Sequence, residues 1–263
     1  MNDMIKQIIS KNKEDLKRKK EQISLASLKK SAGVSVKTRD FYHTIQTGYE
    51  KNGVGLIAEI KLASPTEAHL GEALDISQRA QEYEVAGADA ISIVTEKYFF
   101  HGESAFVKQI QDTVDVPVLQ KDFIVDAYQI YEARESGADA LLLIVKLLDT
   151  KTLQEFVDIC NSLSMEPVVE INDEKDLGKA LQANTRIIAV NARDLDTFTI
   201  DVVRACKLLK KISDTFLKLG FSGIQTAEQV AQYKKAGAKG VLVGTSLMKA
   251  IDIESYIKEL RSI

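Results

Sequence analysis

After the first 50 residues, short apolar runs alternate with amphipathic segments. Eight runs rich in Val, Ile and Leu lie at residues 56–61, 89–95, 116–121, 139–146, 166–171, 186–191, 215–220 and 239–244. Because these runs mostly lack an alternation of polar and apolar positions, they predict strands that are covered on both faces. Segments with a helical period lie between the runs, for example at 75–86, 104–113, 127–136, 152–162 and 227–236. This alternation predicts parallel strands joined by right-handed helical crossovers.

An internal repeat indicates how these units are arranged. The segment GADAISIVT at 87–95 recurs as GADALLLIV at 137–145 and more weakly as GAKGVLVGT at 237–245. The first two start 137 − 87 = 50 residues apart, which corresponds to two strand–helix units of about 25 residues each. In each copy we expect the Gly to close the preceding helix in the left-handed conformation.

Eight units of this size predict an α/β protein with a closed (β/α)8 TIM barrel. A doubly wound open sheet is the alternative, but no G-x-G-x-x-G motif follows the first strand. We therefore predict one barrel domain over residues 1–263, with a helical extension at 1–50 and the eight units at 51–263.

Composition narrows the class of protein. The 35 basic and 38 acidic side chains give a net charge of 35 − 38 = −3, which argues against a nucleic-acid partner. Two cysteines suggest no disulfide framework, and three dispersed histidines argue against a His-rich metal site. No signal peptide and no apolar run of about 18 residues is present, so we expect a cytoplasmic protein without a membrane contact. Nothing in the sequence suggests an obligate partner, and we expect a monomer that acts on a small molecule.

Polar residues stand where several predicted strands end. In a barrel of this type the active site lies at the carboxyl ends of the strands. The residues at these ends are Glu59, Lys61, Lys121, Lys146, Glu170, Asn191 and Arg193. Such a set predicts acid–base chemistry by lysine and glutamate, with no metal or other cofactor. The alternative is an ion-pair network that only satisfies buried charges.

Small residues follow the last two strands, as Ser222-Gly223-Ile224 and Gly244-Thr245-Ser246. Backbone N–H groups in such turns, at the start of a helix, can bind an anion. The loops after strands 7 and 8 are the recurrent phosphate site of this fold. We therefore predict a phosphorylated substrate, although the glycines alone could serve only to permit tight turns.

Eight segments together resemble the indole-3-glycerol-phosphate synthase family. They are AEIK-ASP (58–65), TEKYFFHG (95–102), KDFIVDAYQIYEAR (121–134), GADALLLIV (137–145), VVEIN (168–172), VNARDL (190–195), SGI (222–224) and LVGTSLM (242–248). The resemblance extends over nearly the whole chain, and KDFIVDAYQ and LVGTSLM are the most specific segments. Members of this family close an anthranilate-bearing ribulose phosphate to an indole ring, with loss of CO2 and water.

The resemblance implies a role for each matched residue. Lys121 would be the general acid that protonates the carbonyl oxygen during ring closure, and Glu170 the acid–base group of the later dehydration. Lys61 would bind anionic groups, Glu59 would hold the lysines and a hydroxyl, and Asn191 would bind a hydroxyl. The remaining substrate-binding residues would be Ser64, Phe100, Phe123, Arg193, Ser222, Gly223, Gly244 and Thr245.

Several positions depart from the family pattern. Strand 7 carries Gly220 and Phe221, and Phe221 stands where the family has a glutamate. Leu62 replaces a basic residue and Glu67 replaces a lysine. The other departures are Gln120, Ala189 and Ala192. We expect these seven residues to form an altered pocket.

This altered pocket leaves two alternatives to a synthase. One is a catalyst engineered on this scaffold, in which a glutamate base beside an apolar wall abstracts a carbon-bound proton, as in a Kemp eliminase; a retro-aldolase that uses Lys121 or Lys61 is a weaker variant. The other alternative is an inactive scaffold.

Overall fold

The computed structural model describes residues 2–33, 37–64, 70–71 and 74–262. Its strands are β1 (Gly55–Ile60), β2 (Ala90–Val94), β3 (Val118–Lys121), β4 (Ala140–Ile144), β5 (Glu166–Ile171), β6 (Ile187–Asn191), β7 (Leu217–Phe221) and β8 (Gly240–Val243). Each strand pairs in parallel with the next one, and β8 pairs with β1 to close the barrel. The predicted (β/α)8 barrel is therefore confirmed, and the alternative of an open sheet is excluded.

Before the barrel, the described residues form three helices, namely α1 (Asp3–Gln22), α2 (Leu25–Ala32) and α3 (Phe41–Asn52). The later helices are α4 (Ile76–Val85), α5 (Ala105–Gln111), α6 (Ala127–Glu135), α7 (Thr150–Ser162), α8 (Glu174–Ala180), α9 (Val202–Leu209), α10 (Ala227–Lys235), α11 (Thr245–Met248) and α12 (Ile253–Leu260). A short 3-10 helix (Val145–Leu147) follows β4. Within the described ranges, no helix has both the length and the apolar character needed to cross a membrane.

Local sequence signals set many of the helix boundaries. Asp75 and Asp149 cap α4 and α7. The carboxylate of each accepts a hydrogen bond from the backbone N–H three residues later, a donor that has no acceptor within the first helical turn. At the other ends, the glycines of the three repeated segments have positive φ angles of 97°, 93° and 96° at Gly87, Gly137 and Gly237. These glycines end α4, α6 and α10 as the repeat predicts.

The barrel interior is filled by alternate residues of each strand. Leu119, Val168 and Leu219 belong to this interior cluster, together with Phe41 and Ile45 of α3. At the amino ends of β1 and β8, a Cβ atom on Gly55 or Gly240 would lie 2.8 Å from the Cγ2 of Ile45. The two glycines thus allow α3 to close this end of the barrel. The carboxyl ends of the strands remain open for a site.

Candidate active site

A cavity of about 320 Å³ lies at the carboxyl ends of the strands. All thirteen residues that the sequence predicts as catalytic or substrate-binding line it, and they are Glu59, Lys61, Ser64, Phe100, Lys121, Phe123, Glu170, Asn191, Arg193, Ser222, Gly223, Gly244 and Thr245. The parallel strands explain this convergence, since their carboxyl ends meet at one mouth.

Glu59 is the centre of a buried ion-pair network. Its carboxylate accepts one hydrogen bond from the Lys61 Nζ at 2.8 Å and another from the Lys121 Nζ at 2.7 Å. Burial alone would raise the pKa of Glu59, but the two ammonium groups outweigh it and lower the pKa to about 2. Glu59 is therefore an anion at neutral pH and holds both lysines in place.

Lys121 and Glu170 differ in their electrostatic surroundings. Burial would lower the pKa of Lys121, but the negative charges of Glu59 and Glu170 outweigh it and raise that pKa. Burial raises the pKa of Glu170, although the charge of Lys121 and a hydrogen bond with Asn191 oppose the shift. The cavity thus combines a protonated amine with a carboxyl group that holds its proton more tightly than usual.

The loop after β6 carries two further site residues. The side-chain oxygen of Asn191 accepts a hydrogen bond from the backbone N–H of Arg193 at 2.9 Å. The Arg193 guanidinium donates to the carbonyl of Phe198 at 3.1 Å, and Leu195 and Phe198 also line the cavity. Arg193 therefore stabilises the fold of the loop as well as facing the cavity.

The loops after β7 and β8 provide small residues and backbone N–H groups. Ser222 and Gly223 both have left-handed backbones, with φ of 70° and 72°. A serine in this conformation costs about 1–3 kcal/mol, and such strain tends to occur at functional sites. The Ser246 hydroxyl donates to the carbonyl of Ile224 at 2.8 Å and so joins the two loops.

Gly244 lies directly against the ion-pair network. A Cβ atom on this residue would collide with the Glu59 carboxylate and would lie 3.0 Å from the Lys61 Nζ. Gly244 also precedes α11, whose first N–H groups have no acceptor within the helix. Because Gly244 has no side chain, the backbone N–H groups at the start of α11 can lie close to the ion-pair network of Glu59, Lys61 and Lys121.

Two phenylalanines form an aromatic side of the cavity. The rings of Phe100 and Phe123 lie 6.3 Å apart between centroids. The loop that carries Phe100 is held by Glu96, whose carboxylate accepts hydrogen bonds from the N–H groups of Tyr98 at 2.9 Å, Phe99 at 2.7 Å and Phe100 at 3.0 Å. The sequence patterns did not indicate Glu96, although its place directly after the second apolar run is a usable signal.

Asp122 lines the cavity and is a second residue that the sequence patterns did not indicate. Its carboxylate accepts hydrogen bonds from the Thr95 hydroxyl and the Phe123 N–H, both at 2.7 Å. Burial raises the pKa of Asp122 to about 6, in spite of these two donors. Asp122 follows Lys121 directly, so its position after the third predicted strand could have identified it.

The sequence is similar to known proteins over its full length. The family model of indole-3-glycerol phosphate synthase matches residues 5–260. The chain belongs to this family. It is 36% identical over 260 residues to the indole-3-glycerol phosphate synthase of Desulfosudis oleivorans, with 99% of both chains covered. The corresponding protein of Caldanaerobacter subterraneus is 38% identical over 261 residues, with 98% of this chain and 99% of that protein covered.

Solved structures confirm the barrel fold. A 3-hexulose-6-phosphate synthase superposes with a TM-score of 0.62 at 17% identity, and covers 80% of this chain and 99% of its own. A thiamine phosphate pyrophosphorylase from Pyrococcus furiosus gives 0.60 at 15% identity, with 81% and 96% covered. The family model and the curated relatives, together with this fold, make the chain a barrel enzyme of the indole-3-glycerol phosphate synthase type, a carboxy-lyase of tryptophan biosynthesis.

The positions that depart from the family pattern do not form one altered pocket. Positions 120, 192 and 220 face the surrounding helices, because each alternates along its strand with an inward-facing residue. The Gln120 amide donates to the Thr95 hydroxyl at 3.0 Å. A Cβ atom on Gly220 would collide with the ring of Tyr233. Ala189 faces the barrel interior without lining the cavity, and Leu62 packs on the outer core near Gly71. Glu67 lies outside the described residues.

Among the described departures, Phe221 contacts a site residue, since the Lys121 Nζ lies 5.3 Å from its ring centroid. Lys146 is not at the mouth of the cavity as expected from its place at a strand end, because it pairs with Asp196 at 2.7 Å and does not line the cavity.

The alternative of an engineered catalyst depends on a cluster of apolar replacements around the site. The structure shows no such cluster among the described residues, and the comparisons give that alternative no support.

The N-terminal extension contributes to the cavity, which the sequence analysis did not predict. Met4 and Ile5 of α1 line it. The Asn2 backbone N–H donates to the Asp196 carboxylate at 2.9 Å, and the Asn2 amide donates to the Asp196 carbonyl at 2.6 Å. These contacts depend on how a distant helix packs, so no local pattern could have indicated them.

Across the described ranges, no group of three His, Cys, Asp or Glu side chains could hold a metal ion.

Proposed function

We propose that this chain converts a carboxyphenylamino-deoxyribulose phosphate into indole-3-glycerol phosphate, with Lys121 and Glu170 as its acid–base pair. The carrying observation is the pairing of Lys121 with the buried Glu59 at 2.7 Å in a cavity that also holds Glu170. One group is kept charged and the other has a raised pKa, as expected for two proton transfers with different requirements.

The cavity has separate surroundings for the two ends of such a substrate. Gly223, Gly244 and Thr245, with the hydroxyls of Ser64 and Ser222, line the side near β7, β8 and β1 and would surround the phosphate. Phe100 and Phe123 would contact the aryl ring across the mouth. Lys61, Asn191 and Arg193 lie between these regions and would bind the carboxylate and hydroxyl groups.

Ring closure requires an acid. The aryl carbon that bears the carboxylate attacks the ketone carbon, and negative charge develops on the carbonyl oxygen. Lys121 would transfer a proton to this oxygen, while Glu59 fixes the position of the amine. CO2 then leaves, and the electrons of the broken bond restore the aromatic ring.

Dehydration requires a second proton transfer. The hydroxyl formed by ring closure leaves as water once it is protonated, and loss of a proton from the ring system completes the indole. Glu170 would be the acid–base group of this step, because burial raises its pKa and so favours the protonated form more than in an exposed glutamate. Asn191, which hydrogen-bonds Glu170, would orient the carboxyl group.

The test is a fluorescence assay for indole-3-glycerol phosphate with Lys121→Met and Glu170→Gln. We expect each variant to lower kcat/KM about 100-fold or more, the usual size of an acid–base contribution. The matched controls are Lys218→Met and Glu166→Gln, which alter a buried lysine and a buried glutamate that pair with Asp214 and Arg186 outside the cavity. Wild-type-like turnover by Lys121→Met would refute the proposal. Monomeric state and cytoplasmic localisation stay predictions from the sequence.

A further inference from the structure

Phe221 is a fully buried aromatic residue next to the amine of Lys121. It is the last residue of β7, its side chain belongs to the barrel interior, and it is 0% exposed. Its ring centroid lies 5.3 Å from the Lys121 Nζ. The ring therefore lies beside the ion-pair network and is shielded from solvent.

The position of this ring is fixed by its neighbours. The Tyr233 hydroxyl donates to the carbonyls of Phe221 at 3.2 Å and Ser222 at 2.9 Å, which ties the end of β7 to α10. Phe221 also pairs in register with Asn191 on β6 and Leu242 on β8. With both neighbouring strands in place, the ring has little freedom to move away from Lys121.

An aromatic face attracts an ammonium group without accepting its proton. A desolvated cation–π contact is worth more than an exposed one, and Phe brings no charge of its own. Within the described residues, Glu59 is the carboxylate that pairs with Lys121 inside 4.0 Å, while Glu170 attracts it from farther away. The ring thus stabilises the ammonium while leaving N–H donors available for a substrate.

We propose that Phe221 is a positioning residue for the synthase reaction, which holds the Lys121 ammonium beside Glu59 and favours its protonated form through the aromatic face. This inference rests on the proposed function, because it requires Lys121 to be the acid of ring closure. It gives a role to the residue that replaces the family glutamate.

Loss of the ring's electrostatic contribution would lower the pKa of Lys121. The other charged groups that act on this amine are Glu59 on β1, Glu170 on β5 and Arg193 after β6, and they remain unchanged, as does Lys61, which follows β1 and shares Glu59 with Lys121. The basic limb of the kcat/KM profile, where the acid loses its proton, should therefore move to lower pH. A purely space-filling role of Phe221 would not move it.

The experiment replaces Phe221 by phenylalanine analogues with increasing ring fluorination, which weakens the negative face of the ring at nearly constant shape. With the most fluorinated ring and with Phe221→Met we expect the basic limb to lie about one pH unit lower, from the size of a desolvated cation–π contact. At a fixed pH on that limb, kcat should therefore fall about tenfold. The KM should change less than kcat.

Phe41→Met is the matched control, because Phe41 is also a fully buried phenylalanine of the interior cluster but lies on α3. An unchanged pH profile across the fluorinated series would overturn the role of Phe221. Lys121→Met separates this failure from that of the proposed function: full activity of Lys121→Met refutes the acid itself, whereas its inactivity with an unaffected fluorinated series refutes only the role of the ring.

Discussion

Three carboxyl groups at the cavity show how neighbouring residues decide what a side chain can do. Burial opposes ionisation of Glu59, Glu170 and Asp122 alike. Two lysines reverse this effect at Glu59, whereas one lysine at a larger separation does not reverse it at Glu170. Asp122 has hydroxyl and backbone donors but no cation within 4.0 Å among the described residues, and its pKa rises to about 6. Residue type alone therefore does not assign a chemical role.

Asp122 gives a prediction on stability. Its folded pKa of about 6 exceeds the ordinary 3.8, so the folded state binds this proton more tightly than the unfolded state does. The wild type therefore loses stability from this group as the pH rises from about 4 to above 6, and Asp122→Asn does not. We expect the free energy of unfolding of Asp122→Asn, relative to wild type, to increase by about 2 kcal/mol between pH 4 and pH 7.5.

Urea unfolding at the two pH values measures this difference. Asp112→Asn, directly after α5, is the control, since the Asp112 side chain is 54% exposed and pairs with Lys108 of that helix. A stability difference that stays constant with pH would contradict the assignment of a raised pKa to Asp122.

At the level of single residues, the sequence predicts which side chains meet but not all the contacts they make. Residues such as Glu59, Lys121 and Glu170 could be found because strand ends share one edge of the barrel. Ser64, Phe100 and Phe123 were implied only by the resemblance to the family. Gln120 and Gly220 were wrongly predicted to belong to the pocket. The alternation of side chains along a strand, which places Lys121 inward, places these two positions outward. The alternation along each strand was a better guide to these positions than their departure from a family pattern.

Among the secondary-structure elements, α1 contacts the site through residues that are far away in the sequence. Its first turn contributes Met4 and Ile5 to the cavity, and Asn2 ties it to the loop after β6. Asp196 is the shared partner, because its carboxylate also accepts the Lys146 Nζ at 2.7 Å. A 194-residue separation along the chain explains why the sequence predicts the helix but not this contact.

Asp196→Ala tests whether α1 shapes the substrate site. The variant loses the carboxylate that accepts from the Asn2 N–H and from Lys146, although the backbone carbonyl that accepts from the Asn2 amide remains. This loss should loosen both α1 and the loop after β6. We expect KM to rise about three- to fivefold with a smaller change in kcat, as partly exposed ion pairs are worth up to about 1 kcal/mol. Steady-state kinetics measure this split. Asp3→Ala, which removes a carboxylate of α1 that is 89% exposed, is the control. Equal kinetics of the two variants would show that the tie to Asp196 has no role in binding.

For the molecule as a whole, the residues before the barrel act at both of its ends. α1 covers part of the open mouth, and Phe41 and Ile45 of α3 fill the closed end against β1 and β8. Periodicity and the repeat predict the barrel from its own strands, since these signals are local. The closure by α3 depends on Gly55 and Gly240, which leave room for Ile45. Their role can be recognised only once the arrangement of α3 against the barrel is known.

The two ends should separate stability from catalysis. Phe41 is fully buried, so Phe41→Ala leaves a cavity in the closed end and should lower the free energy of unfolding by about 3–5 kcal/mol. Because the site is at the other end, the KM and the pH profile of the folded fraction should stay unchanged, the converse of Asp196→Ala. Urea unfolding, with kinetics at 10 °C below the melting midpoint of each variant, measures both effects. A loss no larger than that of Phe99→Ala, a partly buried ring at the mouth, would show that α3 is not the element that seals the barrel.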